Sequence, residues 1–102
     1  MKIAFKMKLK PGFEMEYQER HNKIWPELAG LLKESGISDY SIFLDEETST
    51  LFAVQQQSGS SSQDLGNTAI VQKWWAYMAD IMETNPDQSP KSDPLKLVFH
   101  LD

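Results

Sequence analysis

The sequence predicts an α+β fold of the ferredoxin-like type, order βαββαβ, in which an antiparallel sheet carries two helices on one face. Three observations predict it. Apolar residues alternate with period two near both ends of the chain, two stretches between them repeat with helical period, and a short polar connection joins two strand-like runs in the middle. With 102 residues and no break in this pattern, a single domain over residues 1–102 accounts for the chain, with room for one core and one small pocket.

Taken in order, Ile3, Phe5, Met7 and Leu9 alternate with Ala4, Lys6, Lys8 and Lys10, the pattern of a half-buried strand with a wet lysine face. Pro11-Gly12 stops it. A helical stretch follows from about Phe13 to Lys33 and closes at Ser35-Gly36, where glycine suits a helix C-terminus. Pro26 interrupts this stretch, because proline lacks an N–H and its ring crowds the carbonyl of Asn22, so a kink or a fresh helix start is expected just after His21. Two strands, Asp39 to Asp45 and Thr50 to about Gln56, flank the polar Glu46-Glu47-Thr48-Ser49 as a hairpin, with Tyr40, Ile42 and Leu44 on one face. The serine-rich run from Ser58 to Ser62 reads as a loop. A second helix is expected from about Thr68 to Met82, stopped by Asn85-Pro86. After Pro86, Pro90 and Pro94, alternating Leu95, Leu97, Phe99 and Leu101 predict the final strand.

Composition excludes several functions. A net charge of −5 and a pI near 4.9 argue against nucleic-acid and anionic-membrane partners, which need clustered cationic charge, and the lysines of the first strand do not reverse this. The absence of cysteine removes disulfides and thiolate metal sites. Charges interrupt the first apolar residues, so neither a signal peptide nor a membrane span is expected, and the cytoplasm is the default location. Neither a phosphate-cradling glycine loop nor Gly-x-Ser-x-Gly is present. Of the two histidines, His100 falls by alternation opposite Phe99 and Leu101 and is expected in solvent, so no metal site is predicted. Arg20 is the sole arginine, and Glu16 one turn earlier supplies an ordinary helical ion pair.

The candidate for chemistry is His21. Phe13, Tyr17, Ile24, Leu28 and Leu31 form an apolar stripe, and His21 lies on it, which aims an imidazole inward. A satisfied core histidine would look the same, but an imidazole also gives and takes protons near neutrality. In the second helix Trp74 continues the stripe of Ile70, Met78 and Ile81, while adjacent Trp75 points about 100° away, toward a pocket wall or a subunit interface. If both helices cover one sheet face, Tyr17, His21, Tyr40 and either Trp74 or Trp75 surround a cavity. Aromatic planes beside hydroxyl and imidazole donors suit a sugar, with its apolar C–H faces and polar rim.

These residues resemble the L-rhamnose mutarotase family. The likeness is carried by Glu16-Tyr17, by Arg20-His21-Asn22 with Ile24-Trp25-Pro26-Glu27-Leu28, by Tyr40, by Leu51-Phe52-Ala53, by Trp74-Trp75-x-Tyr77-Met78, and by Asn85-Pro86-Asp87-x-Ser89-Pro90. It is collinear over nearly the whole chain, except for the serine- and glutamine-rich stretch Gln55 to Asn67, where no family motif is found. The resemblance implies a fold of the dimeric α+β barrel type and a cytoplasmic homodimer, without cofactor or metal, that interconverts the α and β anomers of L-rhamnose. It puts His21 in the proton-transfer position and Tyr17, Tyr40, Trp74 and Trp75 in substrate-binding positions. Ring opening needs a proton removed from the anomeric hydroxyl and one delivered to the ring oxygen, and His21 is expected to be the acid at the ring oxygen, with a tyrosine or water at the other site. Two rival readings share the fold: a cofactor-free monooxygenase acting on aromatic compounds, and a regulatory domain that binds a small ligand without turning it over.

Overall fold

The alternation at the start of the chain forms strand β1, Lys2–Lys8, and its inward residues Phe5 and Met7 are buried while the lysines are exposed. The structure is a computed structural model and describes residues 1–59 and 62–102. After β1 come helices α1 (Glu14–Asn22) and α2 (Pro26–Glu34), strands β2 (Ile37–Asp45) and β3 (Thr50–Gln57), a 3₁₀ turn (Ser62–Leu65), helix α3 (Ala69–Met78) and strand β4 (Ser92–Leu95). The sheet order is β2-β3-β1-β4, antiparallel throughout. That is the expected ferredoxin-like topology, with the first helix divided in two.

Pro26 makes the division. Trp25 is extended, with φ −62° and ψ 130°, as the residue before a proline is pushed to be, and Pro26 then opens α2 at a position where no N–H is needed. Of the two expected outcomes, a fresh start occurs and a kink does not. Lys23 and Ile24 close α1 by donating to the carbonyls of Glu19 and His21. Phe13 does not join the buried stripe. It precedes the first turn of α1 and stays 39 % exposed.

The inward sheet face is in register across three strands. Phe5 and Ile42 lie opposite Ala53, and Met7 and Leu44 lie opposite Leu51. Tyr17 of α1, Leu28 of α2, and Val71, Trp74 and Met78 of α3 pack on these residues as one core, so all three helices cover the same face. A single irregularity breaks the register. Between the pairs Ser38–Gln56 and Ser41–Val54, Asp39 and Tyr40 of β2 face the lone Gln55 of β3, with Asp39 in the left-handed region at φ 47°. This is a β-bulge, and it turns Tyr40 onto the inward face above Gln55.

Two elements differ from expectation. Helix α3 stops at Met78 instead of Met82, because the following residues pair with the end of β1: Lys10 donates to the carbonyl of Ile81, and Glu83 donates to that of Lys8. The pairing buries Ile81 and Met82, whose backbones a longer helix would withdraw from β1. The last strand covers only Ser92–Leu95, on the sheet edge where Pro94 is tolerated, and the alternating Leu97, Phe99 and Leu101 lie outside it, 67 to 79 % exposed. The register explains this. Leu95 sits opposite Ala4, so β1, which begins at Lys2, offers partners only as far as Leu97, and Phe99 and Leu101 fall beyond its reach. His100 is exposed as expected, but on this irregular segment. Of the expected serine loop, Ser58 and Gly59 lie outside regular structure, Ser62 starts the 3₁₀ turn, and Ser60 and Ser61 lie outside the described residues.

The face away from the helices is open. Phe43, Phe52, Val54, Ala4 and Leu95 share it with Lys6, and Phe43 is 63 % exposed. The two faces predict opposite sensitivities. Leu51→Ala, at a position 1 % exposed on the helix-covered face, should lower the unfolding free energy by about 2–5 kcal/mol in urea titration, whereas Phe43→Ala should cost far less in the isolated chain.

Candidate active site

A cavity of about 1030 Å³ opens between the helices and the inward sheet face. Tyr17 and His21 reach it from α1, Tyr40 from β2, and Trp74 and Trp75 from α3, so all five residues singled out in the sequence line one space. Both tryptophans border it, in different surroundings. Trp74 is buried in the core with its indole edge toward His21, while Trp75 is only partly buried and lies over Gly66, where an added Cβ would come within 2.8 Å of the indole.

His21 is held on three sides. Its ring stacks on Tyr17 at 4.2 Å between centroids and 24° between planes, and it meets Trp74 edge to face at 5.3 Å. Its Nδ1 lies 3.1 Å from the carbonyl oxygen of Tyr17, one helical turn earlier. A carbonyl only accepts, so Nδ1 carries the hydrogen in this contact, and in the neutral ring the lone pair is then on Nε2. Burial lowers the pKa of His21 below its ordinary 6.5, and the bond to the Tyr17 carbonyl opposes this only in part. At neutral pH the imidazole is therefore uncharged and ready to take a proton. The phenols behave in the opposite sense. Burial raises the pKa of Tyr17, with a further contribution from nearby Tyr40, and burial also raises that of Tyr40, so both remain protonated donors.

An aromatic scaffold that sequence spacing did not reveal braces this arrangement. Trp25, in the break between α1 and α2, meets Trp74 edge to face at 5.0 Å and stacks with Tyr77 at 5.5 Å. Arg20 makes the expected bond to Glu16 at 2.9 Å, but it also grips Asp80 with both terminal nitrogens at 2.8 and 3.2 Å, donates to the Tyr77 carbonyl at 2.8 Å, and lies 4.5 Å over the Tyr77 ring. The helix that presents His21 is thus fastened to the end of the helix that presents Trp74. These partners lie about 50 to 60 residues apart in sequence, and no local pattern announces them.

The other unforeseen part is polar. Gln55 is fully buried, and its carboxamide bonds Ser62 twice: Nε2 donates to Ser62 Oγ at 2.9 Å, and Oε1 accepts from the Ser62 N–H at 3.0 Å. Ser62 lines the cavity together with Tyr40, and its hydroxyl offsets part of the rise that burial imposes on the Tyr40 pKa. A signal for Gln55 was present in the alternation of Leu51, Ala53 and Gln55, which places an amide on the inward face. Among the described residues, no group of three His, Cys, Asp or Glu side chains is arranged to hold a metal, and no helix is long and apolar enough to cross a membrane.

Comparison with known proteins gives a consistent result. The family model described as L-rhamnose mutarotase matches residues 2–101. An L-rhamnose mutarotase from Bacteroides thetaiotaomicron is 66 % identical over 97 % of this chain and 96 % of its own, and one from Formosa agariphila is 59 % identical over 99 % and 98 %. The crystal structure of an L-rhamnose mutarotase from Formosa agariphila superposes with a TM-score of 0.94 at 57 % identity, covering 100 % of this chain and 99 % of that one.

The burial of His21 has a consequence for stability. Because its folded-state pKa lies below the unfolded value near 6.5, the unfolded chain binds the extra proton first on acidification. The stability associated with neutral His21 is complete above about pH 6.5 and is lost as pH falls from there through the folded-state pKa. Urea midpoints measured from pH 7.5 to 5 should therefore fall less steeply in His21→Gln than in the unaltered protein.

Proposed function

The chain belongs to the L-rhamnose mutarotase family and is an enzyme that interconverts the α and β anomers of L-rhamnose, and we propose that it does so in the cleft where His21 stacks on Tyr17. The observation that carries the assignment of the site is the contact between His21 Nδ1 and the Tyr17 carbonyl, which leaves Nε2 as a lone pair on an uncharged imidazole in a cavity walled by aromatic rings.

The reaction opens and recloses a cyclic hemiacetal. The anomeric hydroxyl oxygen and the ring oxygen are bonded to the same carbon, so one imidazole can serve both. His21 Nε2 takes the proton of the anomeric hydroxyl, the bond from C1 to the ring oxygen breaks as the aldehyde forms, and the imidazolium returns the proton to the ring oxygen. After rotation about the bond between C1 and C2, the same steps run backwards and close the ring on the other face. The earlier expectation gave the anomeric proton to a tyrosine or water. Phenols whose pKa burial has raised are poor bases, which favours His21 for the removal as well as the delivery. Tyr17 and Tyr40 serve instead as hydroxyl donors to the sugar, and Trp74 and Trp75 offer apolar planes to its C–H faces and 6-methyl group.

The working form is a homodimer. The open sheet face carries Phe43, Phe52, Val54 and Leu95, and the segment beyond β4 exposes Leu97, Phe99 and Leu101, surfaces that a second copy would cover in a symmetric pair. A cysteine-free chain suits the reducing cytoplasm, where a sugar isomerase meets its substrate.

His21→Ala should slow anomer exchange, followed by saturation-transfer NMR on L-rhamnose, by about 10²- to 10⁴-fold while leaving sugar binding largely intact. Unchanged exchange would remove His21 from the mechanism. Line broadening without exchange in the unaltered protein would mean binding alone. Sedimentation should give a dimer at micromolar concentration, and a monomer there would refute the assembly.

A further inference from the structure

We infer that Ser62, locked by Gln55, is a positioning residue for the reaction: it fixes the rotor of the Tyr40 hydroxyl so that its proton is presented to the bound sugar. The inference rests on the reading of this cleft as the active site and goes beyond it, because it assigns a role to Gln55 and Ser62, which the sequence resemblance leaves without one.

Three independent features converge on this point. The first is the bulge, which sets Asp39 and Tyr40 opposite Gln55 alone and uses a left-handed Asp39 to turn the Tyr40 ring inward. A bulge beside a cleft re-aims one side chain at a local conformational cost, and here that side chain is Tyr40. The second is the double bond between Gln55 and Ser62. Gln55 is fully buried, and reversing its amide would set its NH₂ group against the Ser62 N–H, two donors face to face, so its donor and acceptor ends are fixed. The third is the position of Ser62, which lines the cavity together with Tyr40, close enough for its hydroxyl to offset part of the upward pull of burial on the Tyr40 pKa.

The hydrogen count gives the direction. Ser62 Oγ has one proton and two lone pairs, and Gln55 Nε2 occupies one of the lone pairs. The Ser62 proton is then available to the Tyr40 oxygen. A tyrosine hydroxyl that accepts from Ser62 has its own proton left for a sugar hydroxyl. Without Ser62 the hydroxyl can rotate and donate elsewhere, and part of the orientation of the substrate is lost.

The test is a double-mutant cycle with kcat/KM for L-rhamnose anomer exchange measured by NMR. Ser62→Ala should lower kcat/KM about 3- to 10-fold, the range of a single neutral hydrogen bond, and Ser62→Thr, which keeps the hydroxyl, should restore it to within about twofold. Tyr40→Phe should lower it at least as much, and adding Ser62→Ala to Tyr40→Phe should change it by less than about twofold. Gln55→Met, which retains the buried volume but removes both bonds to Ser62, should act in the same direction and also lose its effect in the Tyr40→Phe background, so the test stands if Ser62→Ala fails to fold. Multiplicative losses in the double variant, or full activity in Ser62→Ala beside a slow Tyr40→Phe, would overturn the role of Ser62. If Tyr40→Phe and His21→Ala both leave exchange unchanged, the assignment of the cleft fails instead.

Discussion

The character of the cleft depends on the cost of charging an imidazole packed against two aromatic rings. His21 lies against the face of Tyr17 and the edge of Trp74, where water is largely displaced, and burial favours its neutral form. The carbonyl one turn back then fixes which nitrogen keeps the hydrogen. Protonation state and tautomer are thus decided by packing and by a local backbone bond, before any substrate arrives. The proton transfer proposed for His21 would gain from a ring that starts uncharged with its lone pair fixed.

That packing relies on the break at Pro26. Ending α1 at Asn22 lets Trp25 leave the helical path and close a three-ring cluster with Trp74 and Tyr77, while Arg20 spans to Asp80 just past the end of α3. A continuous helix would carry Trp25 around with its neighbours and dissolve the cluster. The bulge at Asp39 has the corresponding role in the sheet, where it turns Tyr40 toward the same cavity. One missing N–H and one extra residue in a strand therefore place the groups on opposite walls of the cleft.

Much of this was legible in the chain itself. Period-two alternation fixed β1 and the hairpin, Pro26 marked the helix break, and the stripe through Tyr17 and His21 together with Trp74-Trp75 pointed to the five residues that line the cavity. What was not legible depended on distant partners. The length of α3 was overestimated because helical periodicity persists through Ile81, while backbone pairing with β1 takes over after Met78. The last strand was expected too late in the chain, sharing only Leu95 with the observed Ser92–Leu95, because Leu97, Phe99 and Leu101 keep a strand-like alternation that this chain alone does not pair. Arg20 has its expected neighbour Glu16, but its firmer grip on Asp80 crosses 60 residues of sequence. Gln55 and Ser62 were passed over because polar residues in a low-complexity stretch resemble loop, although the alternation of β3 places Gln55 inside.

The neutral His21 with its hydrogen on Nδ1 is tested most directly by nitrogen-15 NMR of the imidazole through a pH titration. At pH 7 the ring should show a protonated Nδ1 and an unprotonated Nε2, and the titration midpoint should lie below 6.5. An imidazolium at pH 7, or a neutral ring with its hydrogen on Nε2, would contradict it.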